Sequence, residues 1–189
     1  MFMKGLLFGK NRGIKSDLAF RIMKWIFVIR DKFFTPWKIL DEFDIKKGQT
    51  VVDYGCGSGS YLKKASELAG PEGKVFAVDV HREAIKAVQE LIEKQRLTNV
   101  KPAQARGNKT DLPDNTADVI YALDMFHMIS EPTEFLKELN RICKKNGLLF
   151  IDNGHQSRKE AKTKINSSRT WKIIAENKRY MRCAPIKNI

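Results

Sequence analysis

VVDYGCGSGSYL, residues 51–62, is the stretch on which the reading of this chain turns. Apolar and aromatic side chains surround Asp53, and glycine then recurs at positions 55, 57 and 59. A backbone that gives up three side chains within five residues either bends sharply or lets something come close to it. Where a strand runs into a helix, such a turn lies beside the positive end of the helix and at the carboxyl edge of the sheet, where ligands collect.

Strands and helices alternate on either side of it. The apolar pattern predicts a strand at 50–53, a helix at 60–69, a loop at 70–73 and a second strand at 74–79. A helix over 82–95 carries Ala84, Ile85, Val88, Leu91 and Ile92 on one face. The pattern predicts a third strand at 100–106, in which Pro102 points to a sheet edge or a late start. A strand at 117–123, a helix at 133–143 and, after a turn at Lys145-Asn146-Gly147, a strand at 148–152 continue the rhythm. Helix 158–165 is followed by WKIIAENKRYMRCAPIK, residues 171–187, two strand-like runs around Asn177-Lys178 that predict a terminal hairpin. Upstream, residues 17–34 place Leu18, Ile22, Trp25, Ile29 and Phe33 at helical spacing behind a cap at Ser16 or Asp17. Pro36 breaks that pattern, and a short helix at 37–43 leads to a turn at Lys47-Gly48. The result is an α/β fold, a parallel sheet covered by helices on both faces, with residues 1–47 as a helical cap and 48–189 as the ligand-binding domain.

Composition narrows the function classes. With 189 residues, 42% of them hydrophobic, the chain suits one domain with a substantial core. Cys56, Cys143 and Cys183 are far apart and show no CxxC pairing, which argues against a disulfide framework or zinc site and for a reducing, cytoplasmic setting. No secretory signal is evident at the N-terminus, and the apolar run 25–29 is far too short to span a bilayer. Of the net +13, residues 1–47 carry +6 and 155–189 carry +8, whereas the middle is close to neutral. Basic flanks on a neutral body suggest an anionic partner or surface.

The glycine turn fits a nucleoside better than a dinucleotide. Gly55 and Gly57 match a G-x-G-x-x-G fingerprint, but its third position falls on Ser60 and the third glycine comes early, at Gly59. Asp79 closes the second strand 20 residues after Gly59, where a carboxylate can accept hydrogen bonds from ribose hydroxyls.

With those residues in place, the chain resembles the class I S-adenosylmethionine-dependent methyltransferases, in particular the small ubiquinone-biosynthesis-like branch. VVDYGCGSG is similar to their first motif, and VFAVDV ending at Asp79 to their second-strand motif. GNKTDLPDNTADVIYALDMFHMI and NRICKKNGLLFIDN resemble the segments that follow, so the likeness covers residues 37–155. It implies a three-layer Rossmann-like sandwich whose mostly parallel, seven-stranded sheet ends in an antiparallel C-terminal hairpin strand. It also implies S-adenosylmethionine as cofactor and no metal. By this resemblance Gly55 and Gly57 meet the methionyl part, with Cys56 and Ala122 alongside, and Asp53 faces its ammonium group. Asp79 takes the ribose, Val80 or His81 lies against adenine, and Asn108 with the Lys109 backbone reads the adenine edge. The family usually has Asp where this chain has Asn108, so an acceptor oxygen remains while a charge is lost.

Methyl transfer is an in-line displacement that depends on alignment and the exclusion of water, with a general base required only by some acceptors. The acceptor side belongs beyond the fourth and fifth strands, which nominates His127, His155 and Asp124 as catalytic residues. Aromatic residues of the 17–34 helix suit a lid over a small apolar or aromatic acceptor, and equally a core, dimer or membrane-surface contact. The chain can act as a monomer or homodimer. RNA as acceptor, held by the basic flanks, and a non-catalytic nucleoside-binding protein are the alternatives.

Overall fold

Five parallel strands carry the chain into its sheet: β1 (Thr50–Tyr54), β2 (Lys74–Asp79), β3 (Val100–Gln104), β4 (Ala117–Ala122) and β5 (Cys143–Ile151). The computed structural model describes residues 35–187. The helix expected over 17–34, its cap and most of the 1–47 segment lie outside those residues. Among the described residues, a hairpin of β6 (Trp171–Glu176) and β7 (Met181–Pro185) completes seven strands in the order β3-β2-β1-β4-β5-β7-β6. In it β7 runs antiparallel to both β5 and β6, as the resemblance implied. The strand order reverses between β1 and β4, and a crevice for ligands opens at such a switch point. The glycine turn leaves β1 at that crevice.

Among the described residues, four α-helices cover the sheet: α1 (Leu62–Ala69), α2 (Arg82–Gln95), α3 (Pro132–Ile142) and α4 (Arg158–Ser168). Successive residues of a strand point to opposite faces, which is why Val51 and Val52 enter different cores. One core joins Val51, Val75 and Tyr121 to Leu62 and Ala65 of α1 and Val88 of α2. The other joins Val52, Val78 and Ile120 to Phe135 and Leu136 of α3 and Ile165 of α4. A 3₁₀ helix, Pro36–Glu42, stands where the sequence predicted a short helix. Its Leu40 and the following Phe43 are fully buried, Phe43 stacking on Phe150 at 4.1 Å between ring centres. Burial of each such side chain contributes about 2 kcal/mol. Trp171 closes the far end, its indole N–H donating to the Leu136 carbonyl at 2.8 Å.

Two local expectations change. No turn separates α3 from β5: the strand begins at Cys143, and Lys145-Asn146-Gly147 lie within it. The five steps from Cys143 to Leu148 run opposite only two on β4, from Ala117 to Val119, so the predicted turn is an irregularity in the ladder. Gly147 is folded so tightly there that a Cβ would come within 2.6 Å of the Cys143 sulfur. The third strand stops at Gln104, short of Arg106, and Pro102 is accommodated because β3 is an edge strand.

Candidate active site

The three glycines do different work. Backbone amides of Gly55 and Cys56 both donate to the Val78 carbonyl, at 2.8 and 3.0 Å, which ties the turn to β2 just before Asp79. Gly55 lies under Met125, whose side chain would sit 2.9 Å from an added Cβ. Gly59 is a packing glycine: a Cβ there would meet Leu91 of α2 at 2.7 Å and Leu62 of α1 at 2.8 Å. Gly57 alone of the three faces open space, with φ of +52° and no atom within 4 Å of the point where a Cβ would stand. Bare backbone is therefore offered at Gly57, whereas the expected open face at Gly55 is covered by the chain's own methionine. Beside the turn, a groove of about 890 Å³ runs between α1 and α2, lined by Ser58, Ser60 and Lys63 among others. It opens on the helix side of the turn and not over the tips of the strands.

Asp53 is buried beneath the turn, 2% exposed, opposite Tyr121 in the β1–β4 register. Its Oδ2 and the Tyr121 hydroxyl are both buried without a hydrogen bond of proper geometry among the described residues. Burial pushes the Asp53 carboxyl up to about 8, with the nearby Tyr121 hydroxyl pulling it down and the Asp79 carboxylate raising it further. The same burial, with Asp53 next to it, drives the Tyr121 hydroxyl well above its ordinary range. An orphaned carboxyl oxygen under a glycine turn matches a cationic ligand group, reached directly or through water, whose charge would favour the ionised form of Asp53.

Asp79 ends β2 with each oxygen engaged once: Oδ2 accepts the Gly57 N–H at 3.0 Å and Oδ1 the His81 N–H at 2.9 Å. A carboxylate oxygen has a second lone pair, so both remain able to accept from a vicinal diol. Val80, next along, is 45% exposed, a large apolar side chain left in solvent at the tip of a central strand. The loop beyond β3 is pinned against this tip. Ala105 N–H donates to the Asp79 carbonyl at 2.8 Å, and the Tyr54 hydroxyl donates to the Asn108 carbonyl at 3.2 Å. Arg106 and Lys109 exchange backbone hydrogen bonds of 2.8 and 3.2 Å. The Lys109 N–H is thus already engaged by Arg106, while Asn108 stands at the apex of this small turn. A part-buried network centred on Glu138 holds the loop from behind. Glu138 accepts from Thr110 N–H and Oγ1 at 2.8 and 2.9 Å, and Arg141 bonds Glu138, Asp114 and the carbonyls of Thr110 and Leu112. Burial acts to raise the Glu138 carboxyl, but the Arg141 and Thr110 hydrogen bonds outweigh it and hold the group below its ordinary value.

On the other side of the crevice the structure brings His127 and His155 together, their rings edge to face with centres 4.7 Å apart. His127 belongs to a 3₁₀ turn, Phe126–Met128, after β4, and His155 is exposed in the loop after β5. Gly154 lets the two loops meet, because a Cβ there would strike the His127 ring nitrogen. Asp124 sits between β4 and that turn with φ of +60°. Its backbone N–H donates to both oxygens of Asp152 at 3.0 Å, and Asp152 Oδ1 also accepts the Gly154 N–H at 3.1 Å. Asp152 therefore clamps the two histidine-bearing loops to each other. Its burial pushes it up to about 6, against hydrogen bonds from Asp124 and Gly154 that lower it.

Cys56 and Ala122 are positioned as packing residues, at 5% and 0% exposure. Only their backbones can meet a ligand, and burial drives the Cys56 thiol well above its ordinary value, which removes the activated-thiol option for a cysteine at a helix entrance. Sequence reasoning missed Asp152, Tyr121, Glu131, Met125, the Glu138–Arg141 pair and the hydroxyl of Tyr54. Asp152 was accessible in principle, as an acidic residue closing a predicted strand in the same way as Asp79. Among the described residues, no three His, Cys, Asp or Glu side chains stand together as a metal-ligand group, and no helix is long and apolar enough to cross a membrane.

Comparison with known proteins identifies the family and the fold. The family described as methyltransferase domain matches residues 45–187. A demethylmenaquinone methyltransferase of Geobacillus stearothermophilus is 26% identical over 110 residues, 58% of this chain and 47% of that protein. A ubiquinone/menaquinone biosynthesis C-methyltransferase UbiE of Citrobacter koseri is 30% identical over 118 residues, 61% of this chain and 47% of that protein. The match spans about half the length of these relatives. A solved structure of a SAM-dependent methyltransferase from Aquifex aeolicus is 33% identical, superposes with a TM-score of 0.73, and covers 82% of this chain and 90% of its own.

Proposed function

Because the chain belongs to the methyltransferase domain family, we propose that it is an S-adenosylmethionine-dependent methyltransferase that methylates a small, largely apolar ring acceptor of the hydroquinone class. When bound, S-adenosylmethionine supplies an electrophilic methyl group on a positively charged sulfur. The residues at the strand tips fit it. The orphaned Asp53 oxygen suits its ammonium group, and the open backbone of Gly57 suits the amino acid tail. The spare lone pairs of Asp79 suit its ribose, and exposed Val80 with Asn108 suits its adenine.

The observation that carries the acceptor assignment is the His127–His155 pair, drawn from two different strand exits into edge-to-face contact. Met125 and Ile129, half-buried against the core, give the same region an apolar wall. An imidazole there takes the proton of a ring hydroxyl and so raises electron density at the neighbouring ring carbon; that carbon gains the methyl group as the methyl–sulfur bond breaks, and its own hydrogen then leaves as a proton, which restores the aromatic ring. Asp152 and Asp124 keep the two histidine loops in register for that transfer. The activities named for the relatives, methylation of demethylmenaquinone and C-methylation in quinone biosynthesis, support a ring acceptor. Incubation of the full chain with labelled cofactor and a reduced, short-chain demethylated naphthoquinol tests this. Labelled methyl on ring carbon, reduced about 100-fold or more in His127→Ala or His155→Ala, supports the reading. Label that never reaches the quinol but does reach RNA overturns it.

A further inference from the structure

Asn108 donates from its side-chain Nδ2 to Glu131 Oε2 at 3.1 Å. The contact uses the one part of the Asn108 side chain that can donate. The two residues meet from different elements, Asn108 from the turn beyond β3 and Glu131 from the residue that precedes α3. An aspartate in place of Asn108 would put two carboxylates at hydrogen-bond distance with no donor between them. An asparagine there has two faces, and its orientation is free unless a neighbour selects one. The Glu131 carboxylate offers acceptors only, so it selects the amino face and turns the amide oxygen the other way. The backbone leaves the side chain little other freedom, since the Asn108 carbonyl is held by Tyr54 and its turn is closed by Arg106 and Lys109.

We propose that Glu131 is a positioning residue for base recognition: it fixes the Asn108 amide with its oxygen toward the purine, so that the site accepts a 6-amino group and rejects a 6-oxo group. The inference rests on the adenine lying between Val80 and Asn108. An amide oxygen accepts from an exocyclic amine, whereas against an oxo group it would face another acceptor. Such a mismatch between buried or half-buried polar groups is a strong basis for discrimination. Glu131 is itself exposed, and its side chain makes no capping bond to α3, so replacing it leaves the helix start intact.

The test compares the affinities of S-adenosylhomocysteine and S-inosylhomocysteine by calorimetry, for the full chain and its variants. The wild-type chain should favour the adenosyl compound at least tenfold. Glu131→Ala, which frees the amide to flip, should shrink that ratio several-fold, and Glu131→Arg, which offers only donors, should turn the amide over and bring the ratio to one or below. Asn108→Asp should lose affinity for the adenosyl compound. Combining Asn108→Asp with Glu131→Gln should regain most of it, because the introduced glutamine amide can donate to the introduced carboxylate. A ratio unchanged in Glu131→Ala and Glu131→Arg, in chains whose Tm matches wild type, overturns the proposal. A wild-type chain that binds neither compound would instead overturn the placement of the cofactor itself.

Discussion

Asp79 Oδ2 accepts the backbone N–H of Gly57 at 3.0 Å, so the carboxylate suited to the sugar also sets the shape of the turn suited to the amino acid tail. Donor recognition is consequently one unit, and the glycines around it divide into those that serve the ligand and those that serve the fold. Gly57→Ala meets no protein atom and carries only the cost of a positive φ, about 1 kcal/mol. It should leave Tm within a few degrees of wild type and still abolish cofactor binding, because the new methyl fills the ligand's space. Gly59→Ala drives a methyl into Leu91 and Leu62 and should cost about 2 to 4 kcal/mol in stability. Thermal melts with and without S-adenosylhomocysteine separate the two outcomes.

Asp53 makes stability depend on pH in an unusual direction. Its carboxyl is raised from 3.8 to about 8 by burial, so the folded chain holds a proton there that the unfolded chain has released. A raised group contributes its stability fully below the unfolded value and loses it as pH climbs through the folded one, here between about pH 4 and pH 8. Each tenfold change in proton affinity is worth about 1.4 kcal/mol, so the penalty above pH 8 reaches several kcal/mol. Asp53→Asn should therefore gain stability over wild type as pH rises from about 5 to about 9, while binding the cofactor about tenfold more weakly. Denaturant titrations at the two pH values check the first expectation and calorimetry the second. A variant less stable than wild type at the alkaline end would contradict a proton-holding Asp53.

The loop that carries Asn108 is held by Glu138 and Arg141, and removing one member strands the other. Arg141→Ala leaves Glu138, whose side chain is 5% exposed, without its main partner and should cost about 3 kcal/mol. It should also weaken cofactor binding, since the Thr110 and Leu112 carbonyls lose their donor. Glu138 is held below its ordinary value, so its contribution is present above the unfolded pKa and is lost as pH falls through the folded one. Acid should accordingly loosen this loop, with hydrogen exchange at residues 105–112 rising before global unfolding.

Much of the architecture is legible in the sequence because it follows from periodicity. The β2 and α2 spans, 74–79 and 82–95, have the bounds that the apolar pattern predicts, and the terminal hairpin is visible as two runs flanking Asn177. The failure at 145–147 has a physical cause: Lys-Asn-Gly reads locally as a turn, but pairing with β4 recruits the segment into a strand and stores the extra residues as an irregularity. Site geometry is legible only where the ligand or the backbone dictates the residue type, as at Asp79 and Gly57. Contacts between elements distant in sequence leave no trace. Nothing in the sequence announces that Glu131 reaches Asn108, that Met125 covers Gly55, or that Asp152 clamps the His127 and His155 loops.

The most direct measurement is an equilibrium titration of the full chain with S-adenosylhomocysteine, run beside Asp79→Ala. Saturable one-site binding by the wild type, weakened by about 1 to 3 kcal/mol in the variant, is the predicted result. Equal affinity in both chains would contradict the placement of the sugar on Asp79, and with it the account of how this fold holds its methyl donor.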